Sequence, residues 1–145
     1  MNRSDRILSV LLLLGAGVTI AYWVNYFVAG DVRVVPDVWY GAFEDAFPVA
    51  DGWMSICMIA AGVGFWRGKR SAPLFGLMAG SALLYLAAMD ITFNVEHRLY
   101  RLLPGSGPMV TEAIINAASL VLGIVAVVMC WRRAIRLTSA NDSRY

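Results

Sequence analysis

The sequence predicts an all-α membrane protein, a four-helix transmembrane bundle. Of the 145 residues, 59% are hydrophobic and 15% are charged, whereas a soluble domain is about half apolar and about a quarter charged. The apolar residues stand in long runs, each able to cross a hydrocarbon core of about 30 Å at about 1.5 Å per residue. The formal net charge of +2 gives no reason to expect a nucleic-acid partner.

Four spans are predicted, and together they form a single domain over 1–137. The predicted spans are 7–28, 49–66, 72–95 and 108–131. The first follows a short basic start, but it is long for a signal peptide and lacks a small-x-small cleavage site, so we expect an uncleaved helix. The third has no helix breaker before Pro104 and is expected to extend to about residue 101. Residues 138–145 are polar and are expected to form a disordered tail.

The segment between the first two spans is acidic and contains a short predicted helix over 37–47. Trp39, Phe43 and Phe47 recur every four residues and form an aromatic edge on that helix. Two placements suit this edge. It lies on the membrane interface as an interfacial helix, or it packs over the mouth of the bundle, and the sequence does not decide between them.

Basic residues predict how the chain is oriented. Nine of the twelve lysines and arginines lie near the termini or in the turn after the second span: Arg3, Arg6, Arg67, Lys69, Arg70, Arg132, Arg133, Arg136 and Arg144. Only Arg33, Arg98 and Arg101 lie on the other side. The positive-inside rule then places both termini in the cytoplasm. We expect a multi-pass protein of the cell inner (plasma) membrane, surrounded by the lipid bilayer.

Nearly all polar side chains of the spans fall in one layer near the predicted outer surface. Each helix supplies two residues, three or four apart and so near one face: Tyr22 with Asn25, Asp51 with Ser55, Asp90 with Asn94, and Glu112 with Asn116. Small residues continue each face away from that surface, and Gly76-x-x-x-Gly80 is typical of close helix contacts in lipid. This pattern predicts an inward-facing outer pocket above a tightly packed half.

Asp90 is the acid that local structure explains least. It lies about 27 Å into a core of about 30 Å, near a helix C-terminus, where the helix dipole disfavours an acid. It therefore needs a proton, an arginine, a bound cation or a cationic ligand. His97 and Arg101 continue the same stripe of the predicted helix beyond Asp90 and Asn94.

The other polar residues also have structural explanations. Asp51 and Glu112 stand in the first turns of their helices, where an acid complements the helix dipole. Asparagines within spans often form hydrogen bonds between helices. His97 is equally explained as a solvated side chain or as a partner of Glu96.

Three classes of function suit such a pocket. The first is a non-enzymatic protein that binds a small cationic or amphipathic ligand, an ion or a partner. Its candidate ligand-binding residues are Asp90, Asn94, Asp51, Glu112, Asn116, Asn25, Tyr22 and His97. Carboxylates of Asp90, Asp51 and Glu112 would also suit Ca²⁺ or Mg²⁺, although no loop motif for either ion is present.

The second class is a membrane-embedded, isomerase-like acid/base enzyme on a lipid or sterol-like substrate. Asp90 would be its acid/base, with Asp51 or Glu112 as the complement. The third class is a subunit of an oligomeric channel or transporter, although no inverted repeat is evident. A homo-oligomer or a membrane complex is a further expected form of assembly. We expect no cofactor, since His97 is the only histidine and a bis-histidine haem needs two.

Two stretches carry a resemblance to known proteins. Ala46-Phe47-Pro48-Val49-Ala50-Asp51-Gly52-Trp53-Met54, together with Gly80-x4-Tyr85-Leu86-x2-Met89-Asp90-Ile91-x-Phe93-Asn94, resembles small uncharacterised bacterial four-helix integral membrane proteins. That resemblance covers nearly the whole chain and implies the four-span fold without an activity. In architecture, four helices with membrane acids are also distantly similar to the emopamil-binding/sigma-2 (EXPERA) group of sterol isomerases and amine-ligand receptors. No residue role is carried over from that group.

Overall fold

The computed structural model of the protein describes residues 2–30 and 33–142, and the regular structure in these ranges is helical. Its elements are α1 Arg3–Val28, α2 Val38–Glu44, α3 Pro48–Trp66, α4 Ala72–Glu96, a 3-10 helix Leu99–Leu102 and α5 Gly107–Asp142. Four segments are long and apolar enough to cross a membrane: Arg3–Val28, Val38–Trp66, Ala72–Glu96 and Gly107–Leu137. The predicted all-α fold with four candidate spans is therefore confirmed.

The long helices pack in a chain of neighbours, α1 on α3, α3 on α4 and α4 on α5, while α1 and α5 approach each other little. We call the end that carries α2 and the 3-10 helix the mouth end, and the opposite end the turn end. At the turn end, the Asp5 carboxylate and the Arg133 guanidinium lie 3.0 Å apart and join α1 to α5. The apolar core fills this half, with Leu8, Met58 and Cys130 among its buried members.

Glycines set the register of α4 against α5. A Cβ added to Gly80 would lie 3.0 Å from the backbone nitrogen of Val127, and one added to Gly123 would lie 3.0 Å from the Gly80 carbonyl oxygen. A Cβ added to Gly76 would meet the side-chain sulfur of Cys130 instead of a backbone atom. The close contact predicted from Gly76-x-x-x-Gly80 is therefore present, because backbones approach this closely only where side chains are absent.

The turn after α3 is held by backbone hydrogen bonds at the end of the helix. Gly68 has a φ of +63°, which favours glycine. Its N–H donates to the Phe65 carbonyl at 3.2 Å, and the Lys69 N–H donates to the Gly64 carbonyl at 2.8 Å. These two bonds form a Schellman motif, which fixes the positions of the basic residues that follow.

Three helices end differently from the prediction. The short helix predicted over 37–47 spans only Val38–Glu44, so Phe47 lies outside it, directly before α3. The helix α4 ends at Glu96 instead of continuing to about 101, because Arg98 adopts a left-handed conformation with φ +57° and turns the chain into the 3-10 helix. No glycine or proline marks this position in the sequence. The helix α5 continues to Asp142. Residues 138–142 of the predicted disordered tail are therefore helical, and 143–145 lie outside the described residues.

The start of α5 agrees with the sequence. The Met109 backbone N–H donates to the Ser106 hydroxyl oxygen at 3.3 Å. This is the hydrogen bond expected of an N-cap serine, whose hydroxyl accepts from the backbone N–H three residues further along the chain.

Candidate functional site

The short helix α2 packs over the mouth of the bundle. Tyr40 is fully buried, and its hydroxyl donates to a Glu112 carboxylate oxygen on α5 at 2.7 Å. The Tyr22 hydroxyl on α1 donates to Glu44 on α2 at 2.9 Å. These contacts match the second of the two placements that the sequence left open, in which the helix packs over the mouth of the bundle.

The predicted aromatic edge of α2 packs against α4. The rings of Phe43 and Phe93 are stacked with centroids 3.6 Å apart, and the rings of Trp39 and His97 are stacked at 4.7 Å. Phe47 completes the cluster with an edge-on contact to Phe43 at 4.8 Å. These contacts hold α2 in place as a cover, since aromatic pairs each add about 0.5–1.5 kcal/mol beyond area burial.

Beneath this cover lies a cavity of about 60 Å³. Four carboxyl groups line it, and we call it the acid cavity: Glu44 from α2, Asp51 from α3, Asp90 from α4 and Glu112 from α5. Side chains of α1 complete the wall, including Tyr22. Among the described residues that line the cavity there is no lysine, arginine or histidine. Each of the five helices therefore contributes to a space lined by acids and by no basic group.

Three of the four carboxyl groups are held by neutral donors. Glu44 accepts from Tyr22, Asp51 accepts from the Trp23 indole N–H at 2.8 Å, and Glu112 accepts from both Tyr40 and the Asn94 side-chain amide. Such donors orient a carboxylate and offset part of its cost of burial, although they carry no charge.

Asp90 differs from the other three acids. Within the part of the chain that the structure describes, its carboxyl group has neither a hydrogen-bond donor nor an ion-pair partner. It lines the acid cavity and is largely shielded by the surrounding helices. The carboxyl that the sequence singled out is therefore the one left free for a partner inside the cavity.

Two asparagines lie behind this wall. Asn94 and Asn116 are buried, with 0% and 2% of their surface exposed. Because α4 and α5 are antiparallel and Asn94 contacts Glu112, a further helical turn on each brings Asp90 level with Asn116. The Asn94 Oδ1 and Asn116 Nδ2 atoms have no hydrogen-bond partner among the described residues.

The structure brings together half of the eight predicted ligand-binding residues. Tyr22, Asp51, Asp90 and Glu112 line the acid cavity. Asn94 and Asn116 are buried but do not line it, although the Asn94 amide donates to Glu112. Asn25 does not join them, because it is exposed. On the helix, Asn25 lies about 60° to one side of Tyr22 and Tyr26 about 40° to the other. The Tyr26 side faces the bundle, so Tyr26 is buried and Asn25 is exposed.

His97 also lies away from the acid cavity. Its ring is exposed, contacts the Phe93 carbonyl oxygen through Nδ1 at 3.0 Å and stacks on Trp39. The solvated explanation of this histidine agrees with its exposure. Arg101, on the same predicted stripe, is exposed in the 3-10 helix.

Three residues that form or support the site are not among the predicted ones: Glu44, Trp23 and Tyr40. The signal for Glu44 and Tyr40 was their spacing of four on a short amphipathic helix, which puts a phenol and a carboxylate on one face. The signal for Trp23 was absent, since nothing local distinguishes an indole in lipid from one that donates to an acid.

The acids do not converge as metal ligands do. No group of three histidine, cysteine, aspartate or glutamate residues in the described ranges could hold a metal ion. The carboxyl groups of Asp51, Asp90 and Glu112, considered for Ca²⁺ or Mg²⁺, surround the cavity from different helices instead of meeting at one point.

The fold and the site together define a four-helix protein with apolar spans and a carboxyl-lined cavity, closed at one end by a short helix. Comparison of the chain with protein-family models, with curated proteins and with solved structures finds no match.

Proposed function

We propose that the acid cavity binds a small organic cation, such as a protonated amine, and that the protein is a binding protein without catalytic activity. The observation that carries this proposal is Asp90, a shielded carboxyl without a partner in a space that three other acids and no basic residue share. Carboxyl groups that share a water-poor region oppose one another's ionisation, and a cation among them stabilises their charged forms.

The size of the cavity limits the ligand. Its volume of about 60 Å³ compares with roughly 300–1,000 Å³ for pockets that enclose drug-sized ligands. A cavity of this size holds a few water molecules or a small cationic group. The volume therefore favours an ammonium group over a sterol-sized molecule.

The lining favours an ammonium group over a bare metal ion. Tyr22, Trp23 and Phe47 line the cavity beside the acids, and aromatic faces attract ammonium ions at a gain of about 0.5–2 kcal/mol. Scattered carboxylates suit a cation that donates several hydrogen bonds, whereas Ca²⁺ requires six to eight oxygens at about 2.3–2.6 Å. A protonated amine can lie against the aromatic rings and also donate hydrogen bonds to the carboxylates.

The positive-inside rule supports an outward-facing cavity. The basic residues concentrate at the turn end and near both termini, which places that end in the cytoplasm and the mouth end outside the plasma membrane. The turn-end half of the bundle is filled by buried apolar side chains. This packing supports binding at the outer surface over passage of a solute through a single bundle.

One observation favours the enzymatic alternative. An apolar groove of about 330 Å³ lies between α3 and α4 and shares Phe47, Asp51 and Leu86 with the acid cavity. A lipid or sterol-like substrate in this groove would approach the acids from the membrane. Asp90 would then act as the acid/base, with Asp51 or Glu112 as its complement.

Replacement of Asp90 tests the binding proposal. We expect the purified protein in a neutral detergent to bind methylammonium or ethylammonium, and Asp90→Asn to weaken that binding on the order of 10- to 100-fold, because a charge-assisted contact is lost. Isothermal titration calorimetry measures the dissociation constants. Glu96→Gln is the matched control, since it removes one exposed carboxylate from the same helix outside the acid cavity.

Two results would reject the proposal. The first is equal affinity in the wild type and in Asp90→Asn, and the second is the absence of binding by any small ammonium ion. Conversion of a sterol-like or lipid substrate that depends on Asp90 would instead establish the enzymatic alternative.

A further inference from the structure

A second cavity lies at the turn end of the bundle, opposite the acid cavity, and its chemistry is the reverse. It has a volume of about 390 Å³ and is lined by four basic side chains, Arg67, Lys69, Arg70 and Arg133, with Asp5 as the one acid. We call it the basic cavity. It brings the turn between α3 and α4 together with the first turn of α1 and the far part of α5.

The cations of the basic cavity are mostly uncompensated. Asp5 pairs with Arg133 at 3.0 Å, whereas Arg67, Lys69 and Arg70 form no ion pair within the described part of the chain. The Schellman motif at Gly68 fixes the backbone that carries these three residues. Three cations in four residues, on a turn whose backbone is fixed, concentrate positive charge in one place, so that only their side chains become ordered when an anion binds.

The basic cavity also has an apolar side. Trp66 and Leu137 line it with 59% and 38% of their surface exposed. Both stand at the ends of segments that can cross a membrane, at the depth where headgroups meet hydrocarbon. Cations beside exposed apolar side chains match an amphiphile whose anionic group and hydrocarbon bind side by side.

From this arrangement we propose that the basic cavity binds the headgroup of an anionic phospholipid. Its phosphate lies against Arg67, Lys69 and Arg70, and its first methylene groups lie against Trp66 and Leu137. Basic pockets between helices at a membrane surface hold phospholipid headgroups by the same chemistry. This inference is independent of the function proposed for the acid cavity, because the two sites share no residue.

Two triple variants separate a defined site from general attraction of a basic surface. The site variant carries Arg67→Gln, Lys69→Gln and Arg70→Gln. The control carries Arg3→Gln, Arg6→Gln and Arg132→Gln, which removes the same charge from exposed residues at the same end that do not line the cavity. Phosphatidylglycerol is titrated into the detergent-solubilised proteins, and native mass spectrometry gives the dissociation constant of the first bound lipid.

We expect the site variant to lose affinity on the order of 100-fold, at roughly fivefold per cation removed, and the control to change it by about threefold or less. The single change Lys69→Gln, with an expected loss of roughly fivefold, covers the case in which the triple variant does not fold. The dissociation constants of phosphatidylcholine and of glycerol 3-phosphate are measured for the wild type in the same way as that of phosphatidylglycerol.

Equal losses in the two triple variants would overturn the proposal, since they indicate diffuse electrostatics. Equal affinity for phosphatidylcholine would overturn it as well, because the net charge of the lipid would then not matter. Glycerol 3-phosphate binding as tightly as phosphatidylglycerol would assign the cavity to a soluble phosphate and reject the lipid.

Discussion

Replacing Gly80 with valine is expected to lower the free energy of unfolding by about 3 kcal/mol, the upper part of the range for overpacked cores. A Cβ at this position would lie 2.9 Å from Val127 Cγ2 and 3.0 Å from the Val127 backbone nitrogen. The backbone atom cannot move aside without separating α4 from α5. Loss of helical circular dichroism during titration with sodium dodecyl sulfate measures the change.

Gly17→Val is the matched control for this experiment. Gly17 is also a helical glycine, but a Cβ there would meet no atom within 4 Å, so we expect a change within about 0.5 kcal/mol. Combining Gly80→Val with Val127→Ala should restore only part of the loss, because the backbone contact persists. Equal stabilities of the Gly80 and Gly17 variants would show that α4 and α5 do not pack at Gly80.

Glu112→Ala is expected to release α2 from the mouth of the bundle and to lower the free energy of unfolding by about 3 kcal/mol. The substitution removes the acceptor of two fully buried donors, the Tyr40 hydroxyl and the Asn94 amide. A buried donor left without an acceptor costs about 1–3 kcal/mol. Hydrogen–deuterium exchange should rise over Val38–Glu44, and the unfolding titration gives the free-energy change.

Glu96→Ala controls for the loss of one acid at this end, because Glu96 is exposed. It should leave exchange over Val38–Glu44 unchanged and alter the unfolding free energy by no more than about 0.5 kcal/mol. If Glu112→Ala leaves exchange in α2 at the wild-type level, Glu112 does not hold that helix, and the account of α2 as a cover is wrong.

The four candidate spans and one face of α4 could be predicted because both depend on local properties of the chain. Long apolar runs indicate spans directly. The stripe from Gly76 and Gly80 through Asp90 to Asn94 follows from the helical period alone, and the structure packs it against its neighbours. The stripe failed beyond Asn94, at His97 and Arg101, because α4 ends at Glu96.

The partners of the acids could not be predicted, because they come from distant parts of the chain. The pair of Tyr22 with Glu44 joins α1 to α2, and the pair of Tyr40 with Glu112 joins α2 to α5. Local spacing says nothing about which residues of a loop cover which helices. For the same reason the sequence left open whether the aromatic edge of α2 would contact lipid or the bundle.

Hydropathy and residue spacing were enough to predict the class of fold and to choose Asp90 as the acid without a local explanation. The folded arrangement of the helices was needed to show that α2 covers the cavity and that Glu44 joins its wall. It was also needed to show that Asn25 and His97 stay outside and that Asp90 has no protein partner in the described chain. The physical reason is the range of the interactions. Hydropathy and helical period act within one segment, whereas enclosure of a charge depends on every helix that surrounds it.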